Sequence, residues 1–180
     1  MELANAYLKL GRIDLMNQIL GWTLSHQTLP GTYAWAEQID PFSKGFTGGD
    51  MPHAWAAASY ITLVRGMLAL EQGDALALFR GVPAWWFEAG RVIALENAPT
   101  LFGTLHLSTQ STVQMGEDQR NWQGELVLQL HGVAPPGGYF WQAPEAPRLI
   151  QPEDAATWRA GALWIDPSAT EIRLTFGTEG

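Results

Sequence analysis

The chain contains no cysteine among its 180 residues. That removes disulfides, thiolate nucleophiles and cysteine-ligated zinc. Charge is scarce as well, at 16% of residues against about 25% in ordinary soluble domains. So thin a charged surface fits a chain that is partly covered by a second copy or another partner chain. The ten Lys and Arg residues do not cluster, and the formal net charge is −8. A nucleic-acid binder needs a basic patch, and an anionic membrane attracts basic segments, so neither partner is expected. No apolar run is long enough to span a bilayer. No basic stretch followed by an apolar run marks a leader at the start. A cytoplasmic location is the expectation. The four histidines, His26, His53, His106 and His131, show no ligand spacing along the chain, so no metal site is expected. There is no Gly-x-Ser-x-Gly elbow and no phosphate-binding Gly-Lys loop. No cofactor is expected.

Against these absences stand 47% hydrophobic residues and nine Trp. The hydrophobic fraction is that of a folded globular chain. A Trp packs in cores, and it also lines sugar-binding clefts, where its flat face stacks on C–H surfaces.

The expected class is α+β. Residues 1–80 form a helical segment with an aromatic loop over 31–51, and residues 81–180 form an antiparallel β-domain. Glu2 to Leu10 is a short helix broken at Gly11. Asp14 is a candidate cap for a second helix, in which Leu15, Met16, Ile19, Leu20 and Thr23 share a face until Pro30 and Gly31. Asp50 is a candidate N-cap for a long helix with Pro52 in its first turn, ending at Gly73. Ala57, Ile61, Val64 and Leu68 recur at helical spacing and are expected in the core. The long helix is expected to pack between the earlier helix and the sheet.

From about Val82 the period changes. Arg91 to Leu95, Gly103 to Gln110, Glu125 to His131, Ala162 to Ile165 and Glu171 to Phe176 read as strands. Turn residues separate them and no helix intervenes, which suggests an antiparallel sheet or small sandwich.

The loop offers the best candidate chemistry. Glu37 lies among Tyr33, Trp35 and Phe42, with Asp40 and Asp50 near in sequence. Burial against aromatic walls disfavours a charged carboxylate, which suits a general acid or base. The plain alternative is that Glu37 is a solvated loop residue. His53, in the first turn of the long helix, is positioned to hydrogen-bond a ligand.

Three runs carry a resemblance. They are Tyr33-Ala-Trp-Ala-Glu-Gln38, then Gly48-Gly-Asp-Met-Pro-His-Ala-Trp55 on to Tyr60, then Arg65-Gly-Met-Leu68. Together they resemble the late helical hairpins of six-hairpin glycosidases, whose helices close an (α/α)6 toroid. Bacterial glucoamylases and related enzymes have a comparable Glu-Gln followed by a Pro-x-x-Trp-Ala helix. The run Gly81-Val-Pro-Ala-Trp85, with Asn97-Ala-Pro-Thr-Leu-Phe-Gly103, is similar to the link from toroid to C-terminal β-domain in larger relatives. The resemblance covers roughly residues 1–110. It implies that Glu37 is the general base that activates water in inverting hydrolysis. It also implies that Tyr33, Trp35, Asp50, His53 and Trp55 belong to a sugar-binding end, with an oligosaccharide as ligand. Inverting hydrolysis needs two carboxylates about 6.5–9.5 Å apart. In the family the acid comes from an earlier hairpin that these residues do not include. The resemblance therefore implies a piece or subunit of a glycoside hydrolase, inactive alone. The alternatives are a non-catalytic carbohydrate-binding module and a structural interaction module.

Overall fold

The computed structural model describes residues 1–177 and divides the chain into two compact units, Met1–Met67 and Leu68 onward. The class is α+β, with three helices and two five-stranded sheets among the described residues.

The first unit begins with α1 (Glu2–Lys9) and α2 (Ile13–Ser25). Helix α1 buries Ala4 and Leu8, four residues apart, and α2 buries Met16 and Thr23. Gly11, at φ 73°, makes the turn between them. Asp14 does not cap α2. The N-cap residue is Arg12, and the Asp14 carboxylate instead pairs with the Arg12 guanidinium at 3.4 Å. Helix α2 stops at Ser25, before Pro30 and Gly31. Residues 31–51 are ordered around a short hairpin of β1 (Gln38–Ile39) and β2 (Phe46–Gly48).

Helix α3 (Ala54–Leu68) follows. Asp50 is not its cap, because the first helical hydrogen bond runs from Ala57 N–H to the His53 carbonyl at 3.2 Å. Pro52 follows a cis peptide bond and lies ahead of the helix. The expected core stripe is only partly buried. Leu68 is 6% exposed and Ala57 and Val64 are half-buried, but Ile61 is 67% exposed. Leu63 and Met67 are buried in its place, which rotates the buried stripe around the helix.

Helix α3 ends at Leu68 and does not reach Gly73, because the chain turns into a hairpin of β3 (Ala69–Gln72) and β4 (Ala75–Leu78) about Gly73. Every residue of β4 is buried. A strand buried on both faces shows no alternation, and a short apolar run of that kind cannot be told from a buried helix by period. For the same reason the helical segment does not continue to residue 80.

After a 3-10 turn at Ala84–Phe87 come β5 (Ala94–Thr100), β6 (Gly103–Ser111), β7 (Gly124–Gly132), β8 (Tyr139–Trp141), β9 (Leu149–Gln151), β10 (Ala156–Arg159), β11 (Ala162–Ile165) and β12 (Glu171–Phe176). Strands β11 and β12 have the expected bounds. β6 runs one residue past its expected end, and β7 is longer than expected by one residue at each end. β5 starts later than Arg91 and runs on through Pro99. Strands β8, β9 and β10 are three or four residues long, too short to show a period.

The first sheet has the order β10-β11-β8-β4-β3 and the second β5-β6-β7-β12-β9. The second is antiparallel throughout. The first is not wholly antiparallel as expected: β4 and β8 pair in parallel, an arrangement that the sixty or so residues between them leave room for.

Both sheets contribute to one core. Leu105, Leu107, Leu126, Leu128, Leu130, Ile172 and Leu174 come from the second sheet, and Leu76, Leu78, Tyr139, Trp141, Leu163 and Ile165 from the first. Phe79, Phe87, Trp122, Trp141 and Phe176 form a chain of ring contacts with centroids 5.0–6.3 Å apart. Leu128→Ala, at a fully buried site, is expected to lower stability by about 2–5 kcal/mol. Ile61→Ala is expected to change it by no more than about 0.5 kcal/mol. Urea titration followed by circular dichroism checks both, and equal losses would contradict the orientation of α3.

Candidate functional site

The site lies in the first unit and is assembled around Trp35, which is 5% exposed. The Trp35 indole N–H donates to the Thr23 carbonyl in the last turns of α2, at 2.9 Å. The Trp35 carbonyl accepts from His53 N–H at 2.7 Å, just ahead of α3. Next to it, Ala36 N–H donates to the Thr28 hydroxyl at 3.2 Å.

Glu37 follows, with its N–H donating to the Asp50 carbonyl at 3.0 Å. Asp50 N–H donates back to Glu37 Oε2 at 3.3 Å. His53 Nδ1 lies 3.9 Å from the same Oε2. The Glu37 side chain is 45% exposed and that of His53 is 25% exposed. Of the aromatic walls expected around Glu37, only Trp35 shares its cleft, since Phe42 is 92% exposed and Tyr33 stacks on Tyr60. Gly49, at φ 77°, makes the close approach of Glu37 feasible, because a Cβ there would lie 2.6 Å from Glu37 Cβ.

The hairpin beyond Glu37 is held by Asp40. Its Oδ1 accepts from Phe42 N–H at 2.9 Å and Ser43 N–H at 2.7 Å. These bonds, Ser43 first and then Phe42, hold the Asp40 carboxyl below its ordinary value of 3.8.

Trp35, Glu37, His53 and Trp55 line one cleft of about 610 Å³. Tyr33 and Asp50 do not line it. Tyr33 stacks on Tyr60, with centroids 5.6 Å apart, and Tyr60 in turn contacts Trp35 at 5.0 Å. Burial, and then the neighbouring Tyr33, push the Tyr60 phenol above its usual value. Asp50 stands beside Glu37 and His53, and the three have donor atoms within 4.8 Å of one another. This trio could hold a divalent cation, but both carboxylates are exposed.

Among the cleft residues missed from the sequence are Glu2, Trp22, His26 and Gln38. Trp22 and His26 stack at 4.0 Å with planes 15° apart. Their four-residue spacing on α2 was the available signal. His26 Nε2 lies 3.2 Å from the Pro41 carbonyl, so the pair also braces the hairpin. Glu2 accepts the Trp55 indole N–H, and so holds an indole that is 68% exposed.

A larger cleft of about 690 Å³ lies in the second unit. It is lined by Gln151, Asp154, Asp166, Ser168, Glu171, Arg173 and their neighbours, with no aromatic wall. Asp166 is engaged by Ser168, and Arg173 pairs with Glu125 at 3.0 Å. It lacks the mixture of flat apolar faces and polar groups found around Glu37.

No protein-family profile matches the chain, and no significant match to a curated protein or to a solved structure was found.

Because the folded Asp40 has a depressed pKa, its contribution to the hairpin is fully present above the unfolded carboxyl range. It is lost as pH falls through the folded value below 3.8. A carboxyl-carbon NMR titration is expected to give an Asp40 midpoint below 3.8, moving up in Ser43→Pro, which lacks the donating N–H. A midpoint above 3.8 would contradict the turn. Gly49→Ala is expected to displace Glu37, seen as a shift of the Glu37 and His53 side-chain resonances.

Proposed function

We propose that the cleft of the first unit binds an oligosaccharide, and that α1 to α3 correspond to late hairpins of an α/α toroid of the six-hairpin glycosidase kind. The observation that carries this reading is the composition of one cleft: Trp22, Trp35 and Trp55 beside Glu37, Gln38 and His53. Indole faces take the apolar C–H surfaces of a sugar ring. Carboxylate, amide and imidazole groups exchange hydrogen bonds with its hydroxyls. A cleft of about 610 Å³ suits a small ligand of this kind.

Glu37 takes the part of the general base in the proposed mechanism. Its exposed Oε2 accepts a proton from a water held over the cleft. The acid is the difficulty. Glu2 lines the same cleft, but its carboxylate is committed to the Trp55 indole. The chain alone is therefore proposed to bind without turnover, with hydrolysis waiting on a second carboxylate from a partner.

Titrating gluco-oligosaccharides against tryptophan fluorescence is expected to give saturable quenching. Trp55→Ala should weaken binding by tenfold or more, about 1.4 kcal/mol. Glu37→Gln should leave binding within a few-fold, while any trace of product on long incubation disappears. A flat response across the panel would remove the carbohydrate reading.

The second reading, an interaction module, is favoured by a separate observation. Leu3, Trp22, Trp55 and Ile61 of the first unit are each at least half exposed. Under this reading light scattering gives a mass above the 19.8 kDa of one chain. A clean monomer at high concentration would count against it.

A further inference from the structure

We propose that Glu37, Asp50 and His53 form a three-donor site for a divalent transition-metal ion at the edge of the first unit's cleft. One donor atom from each of the three lies within 4.8 Å of the other two, and no other group of His, Asp and Glu side chains among the described residues comes together in this way. His53 Nδ1 stands 3.9 Å from Glu37 Oε2. Spacing among the four histidines does not reveal the site, because it takes only one of them. Its first carboxylate comes thirteen residues ahead of its second.

Main-chain bonds bring the three donors together. Glu37 N–H donates to the Asp50 carbonyl at 3.0 Å, which sets the two residues side by side. His53 N–H donates to the Trp35 carbonyl at 2.7 Å, two residues ahead of Glu37. Two segments distant in sequence are thus held against each other whether or not an ion is present. A site ordered in advance by its backbone loses little freedom when it binds.

The charge of the group favours a cation as well. Among the described residues no Lys or Arg pairs with Glu37 or Asp50, and the imidazole of His53 is the one basic group beside them. Two carboxylates this close repel unless a proton or a cation lies between them. Among the described residues the Asp50 carboxylate and the His53 ring also have no hydrogen-bond partner, so their lone pairs are free to coordinate. One imidazole nitrogen with two carboxylates selects zinc or its transition-metal neighbours over magnesium and calcium, which prefer all-oxygen sets. Three protein donors leave positions on the ion for water or a ligand hydroxyl, and the exposure of both carboxylates keeps those positions accessible. Such a site stands apart from the carbohydrate reading, since an ion on Glu37 Oε2 occupies the atom to which that reading assigns proton transfer.

Calorimetric titration of the full chain with zinc chloride alone, in a non-coordinating buffer, tests the assignment. One saturable site is expected, with magnesium chloride weaker by about tenfold or more. Glu37→Gln, Asp50→Asn and His53→Ala should each weaken zinc binding by about tenfold or more. Glu37→Gln keeps an oxygen that can accept from Asp50 N–H, so its loss reports on the charge and not on the fold of the loop. Circular dichroism checks the fold of all three variants. His131→Ala, on the second sheet, should leave zinc binding unchanged. Zinc should also raise the Tm of the parent chain, and that rise should vanish in Asp50→Asn. No sugar is present, so failure here is distinct from a flat response to oligosaccharides in the fluorescence titration. No saturable zinc binding, magnesium binding as tight as zinc, unchanged zinc binding in Asp50→Asn and His53→Ala, or an equal loss in His131→Ala would each overturn the proposal.

Discussion

The hydrogen bonds of Trp35 are the constraint on which the first unit's site depends. One indole N–H and one backbone carbonyl tie the end of α2 to the residue that opens α3. The loop between those helices is long, and a loop of that length is costly to order without such anchors. With Trp35 buried, the next residues have little freedom. Ala36 binds Thr28, and Glu37 exchanges hydrogen bonds with Asp50. The carboxylate, the His53 ring and the indoles of Trp22 and Trp55 thus meet because of a contact that is itself structural. A buried indole N–H left unbonded would cost about 1–3 kcal/mol, and the Thr23 carbonyl that satisfies it also accepts the His26 N–H at the end of α2.

The second unit is governed by a different constraint, the strict alternation of β6, β7 and β12. Their inward residues are nearly all leucine, isoleucine or phenylalanine, and all are almost fully buried. Thr109 is the exception, and its hydroxyl accepts from Ile93 N–H at 3.2 Å, where the sheet meets the start of β5. Alternation also decides what faces solvent. It makes a polar row of Ser108, Gln129 and Glu171, and a second row of Glu96, His106 and His131. The chemistry of the outer face follows from the packing of the inner one.

Much of this was legible in the sequence where period and length agree. Strands β6, β7 and β12 show clear alternation, and the helices of the first unit start near their expected beginnings, although α2 stops at Ser25 ahead of Pro30 and α3 at Leu68 ahead of Gly73. What was hidden has physical causes. Strand β4 is buried on both faces, so Ala75 to Leu78 carry no alternation and fell inside the segment 1–80 that was expected to be helical. Ile61 lies on the helical stripe by spacing, yet the buried residues there are Leu63 and Met67. The cleft was half legible. Glu37, Trp35, His53 and Trp55 come from neighbouring segments, and the aromatic loop announced them. Glu2 reaches the cleft from α1 through tertiary packing alone, which no local pattern records, whereas Trp22 left only its four-residue spacing from His26 as a signal.

The exposure of Glu37 separates binding from catalysis. Stacking and hydroxyl recognition need flat faces and polar groups at a cleft wall, and the first unit has them in place. A general base that activates water works best where solvent is excluded and a proton donor stands across the scissile bond. A side chain 45% exposed, with an imidazole 3.9 Å away and no proton donor across the cleft from it, meets neither condition by itself. Any cover that closed the cleft would have to bring a carboxylate with it, because Glu2 already holds Trp55 in position. Freeing Glu2 to act as acid would release the indole that gives the cleft one of its walls. Under the proposed reading, binding needs only this unit, whereas hydrolysis would require a further surface that supplies both the enclosure and the missing acid.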